Sequence, residues 1–288
     1  MFAQRLKDDA AQIAAQFQTV FAGLPDWPVT RAMAYASDGG KRLRGFLVLE
    51  SARLFDIDAD RAIWPACAIE ALHAYSLVHD DLPCMDDDDL RRGRPTVHVA
   101  WDQATAVLAG DALQSLAFEL VSMPAVGSDQ VRAALTLGLA RAAGARGMVL
   151  GQAKDMAAET AQTPLTLEQI EDLQAGKTGA LFEWSAMAGA VMAAQDPAPL
   201  RVYAQGLGLA FQIADDILDH EGDADKAGKR LRKDADAGKA TFVSLLGVEA
   251  ARARAVDLVD QACAALDVYG ARGDTLRDTA RFVISRES

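Results

Sequence analysis

The chain has 288 residues, 51% of them hydrophobic, and a formal charge of −12. That length fits one large domain or two smaller ones, and that apolar content excludes a disordered chain. The acidic balance argues against a general nucleic-acid binder, which carries a basic face. Cys67, Cys84 and Cys263 are too dispersed for a disulfide framework or a zinc signature, so the expected home is the cytoplasm.

The opening "MFAQRLKDDAAQIAAQF" is interrupted by Lys7, Asp8 and Asp9, unlike a signal peptide. Leu6, Ile13, Phe17 and Phe21 fall on one helical stripe. "GGKRLR" follows at 39–44, and a second stripe begins at Ile69, Leu72, Tyr75 and Leu77. Residues 79–95, "HDDLPCMDDDDLRRGRP", concentrate six aspartates and then three arginines. Thr166 and Gln169 form a capping box that opens a helix after Pro164. The stretch 181–194, "LFEWSAMAGAVMAA", is apolar on most faces, so it is either a central helix or part of a subunit interface. The nine prolines, Pro65 among them, mostly separate such segments, and no Gly/Ser-rich linker divides them. The expected fold is all-α: a single domain, 1–288, of about ten helices. No uninterrupted apolar run approaches the ~20 residues that cross a bilayer, so no integral membrane segment is expected.

The acidic run asks for a counter-charge, because carboxylates at contact distance repel one another. A solvated turn is one answer, and a seat for hard cations beside an anion is the other. Asp80 and Asp86 are six apart, about 120° around a regular helix. Pro83 lies between them and cannot donate to the His79 carbonyl, so the helix must open or bulge there, which could return Asp86 to Asp80. A second motif, "DDILD", puts Asp215 and Asp219 about 40° apart on one face of a helix. The flanking Phe211, Ile213, Ile217 and Leu218 leave little of that helix for solvent. Mg²⁺ takes oxygen ligands, one or two carboxylates with water and phosphate. Two facing acidic helices could hold such ions around a diphosphate. Lys41, Arg44, Arg91, Arg92, Lys177, Lys229 and Lys239 offer matching positive charge.

"GGKRLR", "HAYSLVHDDLPCMDDDDLRRGRPT", "LAGDAL", "GQAKD", "KTG", "FQIADDILD" and "GKRLRKDADAGKATF" stand in one order and spacing. In these motifs the chain resembles the trans-isoprenyl diphosphate synthases, most closely those of the bacterial farnesyl diphosphate synthase type. The resemblance runs from about residue 35 to 245. It implies a helical bundle around a deep central cavity and a homodimer. It also implies head-to-tail transfer of an allylic group from dimethylallyl or geranyl diphosphate to isopentenyl diphosphate, mainly giving farnesyl diphosphate. Asp80, Asp86 and Asp215 would hold about three Mg²⁺ ions, supported by Asp81, Asp216 and Asp219. Arg91, Lys177, Lys229 and Lys239 would contact the allylic diphosphate. Lys41, Arg44, His73 and Arg92 would hold isopentenyl diphosphate without metal. Gln152, Asp155, Thr178 and Gln212 would line the reacting end. Two departures stand out: Ala214 where relatives often carry glutamine, and a tail, "RFVISRES", that is only modestly basic.

By the same resemblance the allylic diphosphate leaves first, the isopentenyl double bond attacks the cation, and the departed diphosphate takes the proton. The charged segment 222–240 is either a solvated loop or a lid bringing Lys229 and Lys239 onto phosphate. Ser76 and Tyr75 precede Asp80 by four and five residues, roughly 6 and 7.5 Å along a helix. Tyr75 is expected to floor the prenyl pocket and limit the product to fifteen carbons; geranyl and geranylgeranyl diphosphate are the alternatives. A terpene cyclase would not need the metal-free anion residues, and a non-catalytic partner would be expected to lose one motif.

Overall fold

The computed structural model describes residues 2–161, 163–221 and 240–285. Its contacts divide the chain into two compact units, Met1–Leu139 with Ala188–Gln195, and Ala140–Met187 with Asp196–Ser288. The architecture is all-α, as the spacing of apolar residues indicates.

In the first unit, α1 (Phe2–Ala22) buries Ile13 and Phe17 of the expected stripe, and α2 (Pro28–Ala36) starts with proline at its first position. Helix α3 (Leu43–Leu54) is buried almost all round from Gly45 to Leu54, as a core helix must be. Helix α4 (Ala59–Asp80) is the long element that ends in the acidic motif. It packs on α6 (Gln103–Val121), whose buried face is Ala106, Ala109, Gly110, Leu113 and Ala117. Small residues there let the two backbones come close. Fully burying a leucine or isoleucine contributes about 1.5–3 kcal/mol, so Leu72 and Ile69, both 0% exposed, anchor α4 firmly. Pro65 does not separate elements but lies buried inside α4. The surrounding core keeps the helix going despite the lost N–H donor.

Between α4 and α6 sit the short helix α5 (Val97–Ala100) and one small hairpin, β1 (Leu90–Arg91) with β2 (Arg94–Pro95). Arg91 pairs with Arg94, and the two loop residues, Arg92 and Gly93, have φ of 54° and 71°. Positive φ at both central positions marks the primed turn whose twist matches a hairpin. Helix α7 (Asp129–Ala143) begins in this unit.

The second unit contains α8 (Met148–Glu159), α9 (Leu167–Gln174), a π-helical turn at Ala175–Gly179, α11 (Ala198–Glu221), α12 (Phe242–Leu246), α13 (Val248–Ala265) and α14 (Asp274–Ser285). The expected capping box opens α9: the Gln169 N–H donates to Thr166 Oγ1 at 3.3 Å, and the Thr166 N–H to Gln169 Oε1 at 2.8 Å. One core cluster joins Ile170, Ile213, Ile217, Phe242, Val243, Ala251 and Ala255. Tyr203 is fully buried, and its hydroxyl donates to the Leu276 carbonyl at 2.8 Å, tying α11 to α14. The apolar helix read at 181–194 is α10 (Ala180–Met192). Leu181, Phe182, Trp184, Ala186, Ala188, Ala190 and Met192 are buried within the chain, which favours the central over the interfacial reading.

Candidate active site

In the first unit α4 stops at Asp80, and turns carry the chain through Pro83 and Cys84. The Asp86 N–H then donates to the Asp80 carbonyl at 2.8 Å. The opening of the helix expected from Pro83 therefore occurs, and it brings Asp86 back beside Asp80. Both are half-buried.

Asp81, 3% exposed, serves a different purpose from its neighbour. Its carboxylate accepts from Arg91 Nε at 2.8 and 2.9 Å and from Nη2 at 2.5 Å, a fork that fixes the guanidinium plane. Burial raises the Asp81 carboxyl above its usual value, and the Arg91 hydrogen bonds oppose that shift. Burial also works against the Arg91 charge, but hydrogen bonds to Asp81 and the field of Asp81, Asp88 and Asp80 outweigh it.

His73 lies within electrostatic reach of Arg44, Arg92 and Arg91. Burial first, and then those three cations, hold its imidazole well below the ordinary value near 6.5, so it is neutral at neutral pH. The structure thus gathers His73, Arg44, Arg91 and Arg92, four residues nominated from sequence. Lys41 is exposed and directly follows Gly40, whose absent Cβ would lie 2.8 Å from Arg92 Cζ.

Tyr75 and Ser76 lie on α4 below Asp80 as expected. The Ser76 hydroxyl donates to the His73 carbonyl at 2.9 Å. Tyr75 meets the His79 ring edge-on at 5.1 Å, and His79 Nε2 bonds the Val107 carbonyl on α6 at 3.0 Å. His79 is therefore bonded across to another helix, not within its own.

In the second unit the π-helical turn displays Lys177 and Thr178. Such wide turns are frequent at functional sites because they redirect side chains from the helical register. Lys177 Nζ donates to Asp155 Oδ2 at 2.6 Å, and Thr178 Oγ1 donates to Gln212 Oε1 at 3.1 Å. Gly151 makes this possible: a Cβ there would lie 2.1 Å from the Lys177 nitrogen. Gln152, one residue on, has a buried amide nitrogen without a hydrogen-bond partner. Lys177 thus meets Asp155 and Thr178 meets Gln212, while Gln152 lies on the same helix as Asp155.

Asp215, Asp216 and Asp219 are half-buried on α11 between the buried Ile213, Ala214 and Ile217, not on an open face. Asp216 Oδ2 accepts the Phe242 N–H at 2.8 Å and anchors the first turn of α12. Lys229, Lys239 and the rest of 222–239 lie outside the described residues. Among the described residues no three or more His, Cys, Asp or Glu side chains form a metal-holding group by themselves. The donors at Asp80, Asp86 and Asp215 are all oxygens, the class Mg²⁺ prefers.

Sequence reasoning missed the hairpin contacts. Asp38 accepts from Arg92 and Arg94, and Tyr35 bonds Pro95 and stacks under Arg94, partners about fifty residues away that no local pattern announces.

The sequence model of a family described as polyprenyl synthetase matches residues 27–267. Farnesyl diphosphate synthase of Escherichia coli (strain K12) is 46% identical over 271 residues, covering 91% of this chain and 90% of that protein. The apo structure of an FPP/GFPP synthase from Zymomonas mobilis is 47% identical, covers 99% of this chain and 100% of its own, and superposes with a TM-score of 0.87. A geranyltransferase from Helicobacter pylori, solved in complex with magnesium and isoprenyl diphosphate, is 32% identical, covers 97% of this chain and 95% of its own, and has a TM-score of 0.81.

Proposed function

The chain belongs to the polyprenyl synthetase family, and from that membership we propose that it is a short-chain prenyltransferase of the farnesyl diphosphate synthase type. It joins dimethylallyl or geranyl diphosphate to isopentenyl diphosphate head to tail and gives mainly farnesyl diphosphate. The observation that carries this reading is identity to a farnesyl diphosphate synthase along nearly the whole length of both chains. The family match runs through both compact units, which supports one synthase domain.

Asp80, Asp86 and Asp215 are assigned to hold magnesium, about three ions with substrate bound. Bound magnesium supplies positive charge to a diphosphate leaving group. Arg91, oriented by Asp81, and Lys177, oriented by Asp155, contact the allylic diphosphate, with Lys229 and Lys239 assigned there by the resemblance. Lys41, Arg44, His73 and Arg92 hold isopentenyl diphosphate. Preorganised charge of this kind is usually the largest catalytic contribution, because it needs no reorganisation as the transition state forms.

The Thr178 hydroxyl donates its hydrogen bond to Gln212 Oε1, which leaves its oxygen lone pairs for the allylic cation. His73, held neutral, offers an N–H without adding a proton that could migrate. No side-chain base is required when the departed diphosphate takes the proton.

A homodimer is supported by Val107 and Leu108 on α6, 42% and 57% exposed. The α6 helix is also long and apolar enough by composition to cross a membrane, but Asp111 and Glu119 interrupt it and its inner face packs on α4. A cytoplasmic home is the reading for a chain whose three cysteines are too dispersed in sequence for a disulfide framework.

The test is incubation with isopentenyl and dimethylallyl diphosphates, with and without magnesium, followed by chromatography of the dephosphorylated products. A fifteen-carbon alcohol formed only with magnesium is expected. A cyclic hydrocarbon, or no condensation, would overturn the reading.

A further inference from the structure

We propose that Tyr35, Asp38 and Arg94 are positioning residues that hold Arg92 in its working conformation for isopentenyl diphosphate; this rests on the assignment of Arg92 made above. Arg92 sits at φ 54° in the primed turn of the hairpin. That left-handed conformation is unfavourable for a side chain with a Cβ and persists only where the surroundings enforce it. A hairpin of two-residue strands has almost no ladder of its own to do so.

The enforcement comes from the end of α2. The Tyr35 hydroxyl donates to the Pro95 carbonyl at 2.8 Å, pinning β2. The Arg94 guanidinium stacks over the Tyr35 ring at 4.0 Å and donates to Asp38 Oδ2 at 2.9 Å. Trp101 also packs against that ring, edge-on at 5.1 Å. The Asp38 backbone carbonyl in turn accepts from Arg92 Nη1 at 3.2 Å. Asp38 therefore binds Arg94 with its side chain and Arg92 with its backbone. Gly40, at φ 79°, closes over the same guanidinium, where a Cβ would lie 2.8 Å from Cζ.

Each contact is modest alone. Arg94 and Asp38 are 46% and 68% exposed, and exposed pairs of that kind contribute little. Their common effect is directional: the turn and the second strand of the hairpin are fixed to the segment that leads into "GGKRLR", so Arg92 and the Lys41–Arg44 segment keep one geometry.

The experiment measures both KM values and kcat for Tyr35→Phe, Tyr35→Ala, Arg94→Ala and Arg94→Lys, with Arg92→Gln as reference. Tyr35→Ala and Arg94→Ala are expected to raise the isopentenyl diphosphate KM by roughly fivefold, with the allylic KM unchanged. Arg94→Lys, which keeps the charge, should recover part of the loss. In an Arg92→Gln background the Tyr35→Ala effect should vanish, because the brace acts through Arg92. Equal changes in both KM values, or additive effects in the double variant, overturn the brace. Failure of Arg92→Gln itself to raise the isopentenyl diphosphate KM removes the assignment of Arg92, and the brace with it. Should Tyr35→Ala not fold, Tyr35→Phe, which loses only the bond to Pro95, carries the same comparison.

Discussion

The Asp86 N–H donates to the Asp80 carbonyl at 2.8 Å, so the end of α4 is closed by a residue six positions on. The pair is set side by side by the backbone, and amide replacement leaves that backbone bond intact. Asp80→Asn and Asp86→Asn are each expected to cost roughly 10²–10³-fold in turnover, with little change in thermal midpoint. Asp87, exposed and at φ 52°, is the control: asparagine tolerates that conformation, and Asp87→Asn should keep its activity. Steady-state turnover with both diphosphates, beside thermal melts, separates these outcomes.

Where local chemistry dictates structure, the sequence could be read directly. The Thr166–Gln169 capping box, the stripe at Ile13 and Phe17, and the break forced by Pro83 all need only neighbouring residues. Pro65 was misread because tertiary burial overrides its local cost. The hairpin at 90–95 escaped because Arg92-Gly93 lacks the Asn-Gly signature, and its positive φ is enforced by Tyr35 and Asp38, distant in sequence. The π-helical turn at 175–179 depends on the close approach of Gly151, which no local pattern announces. Asp81 and Asp216 look like their neighbours in local sequence; the family resemblance alone sets them apart as supporting residues, and the structure supplies their partners, Arg91 and the Phe242 N–H.

Asp81→Asn tests that separation. It takes from the Arg91 guanidinium, 32% exposed, its close ionic partner, keeps one acceptor, and leaves Asp88 at 4.0 Å. Because Arg91 retains solvent contact, the loss should be smaller than for a sealed pair, about 1–3 kcal/mol. Urea titration measures it. The allylic KM should rise with it, because Arg91 loses its fixed plane, while the isopentenyl KM should hold.

Gly151→Ala should damage the second unit. Its Cβ would meet the Lys177 nitrogen at 2.1 Å and Cα at 2.5 Å, both backbone atoms that cannot swing aside. Overpacking of this kind costs about 1–3 kcal/mol or more. It displaces the turn that carries Lys177 and Thr178, so activity should fall further than the melt alone explains. Ala153→Gly, at an exposed position of the same helix, costs helix propensity without moving the turn and should retain turnover.

His73 gives a pH dependence of defined sign. Its folded pKa lies below the ordinary 6.5, through burial and then Arg44, Arg92 and Arg91. Below about pH 6.5 the unfolded chain therefore binds a proton that the folded chain refuses. Stability is present above that pH and falls as pH drops, by at most about 1.4 kcal/mol per unit. Melts of the wild type and His73→Gln between pH 7.5 and 5.5 should show a shallower acid loss in the variant. Equal slopes would remove His73 as the cause.

If the Tyr75 ring floors the prenyl pocket, as the family resemblance implies, Tyr75→Ala is expected to shift products beyond fifteen carbons. A second variant approaches the same ring from α6. A Cβ on Gly110 would fall 2.1 Å from His79 Nε2, and His79 meets Tyr75 edge-on at 5.1 Å. Gly110→Ala must therefore move the imidazole, break its bond to the Val107 carbonyl, and release one side of the tyrosine. Its product distribution should broaden in the direction of Tyr75→Ala, by a smaller amount. Chromatography of the prenyl alcohols decides: longer products from Tyr75→Ala alone confine the control of length to the ring, and unchanged products from both place the floor of the pocket elsewhere.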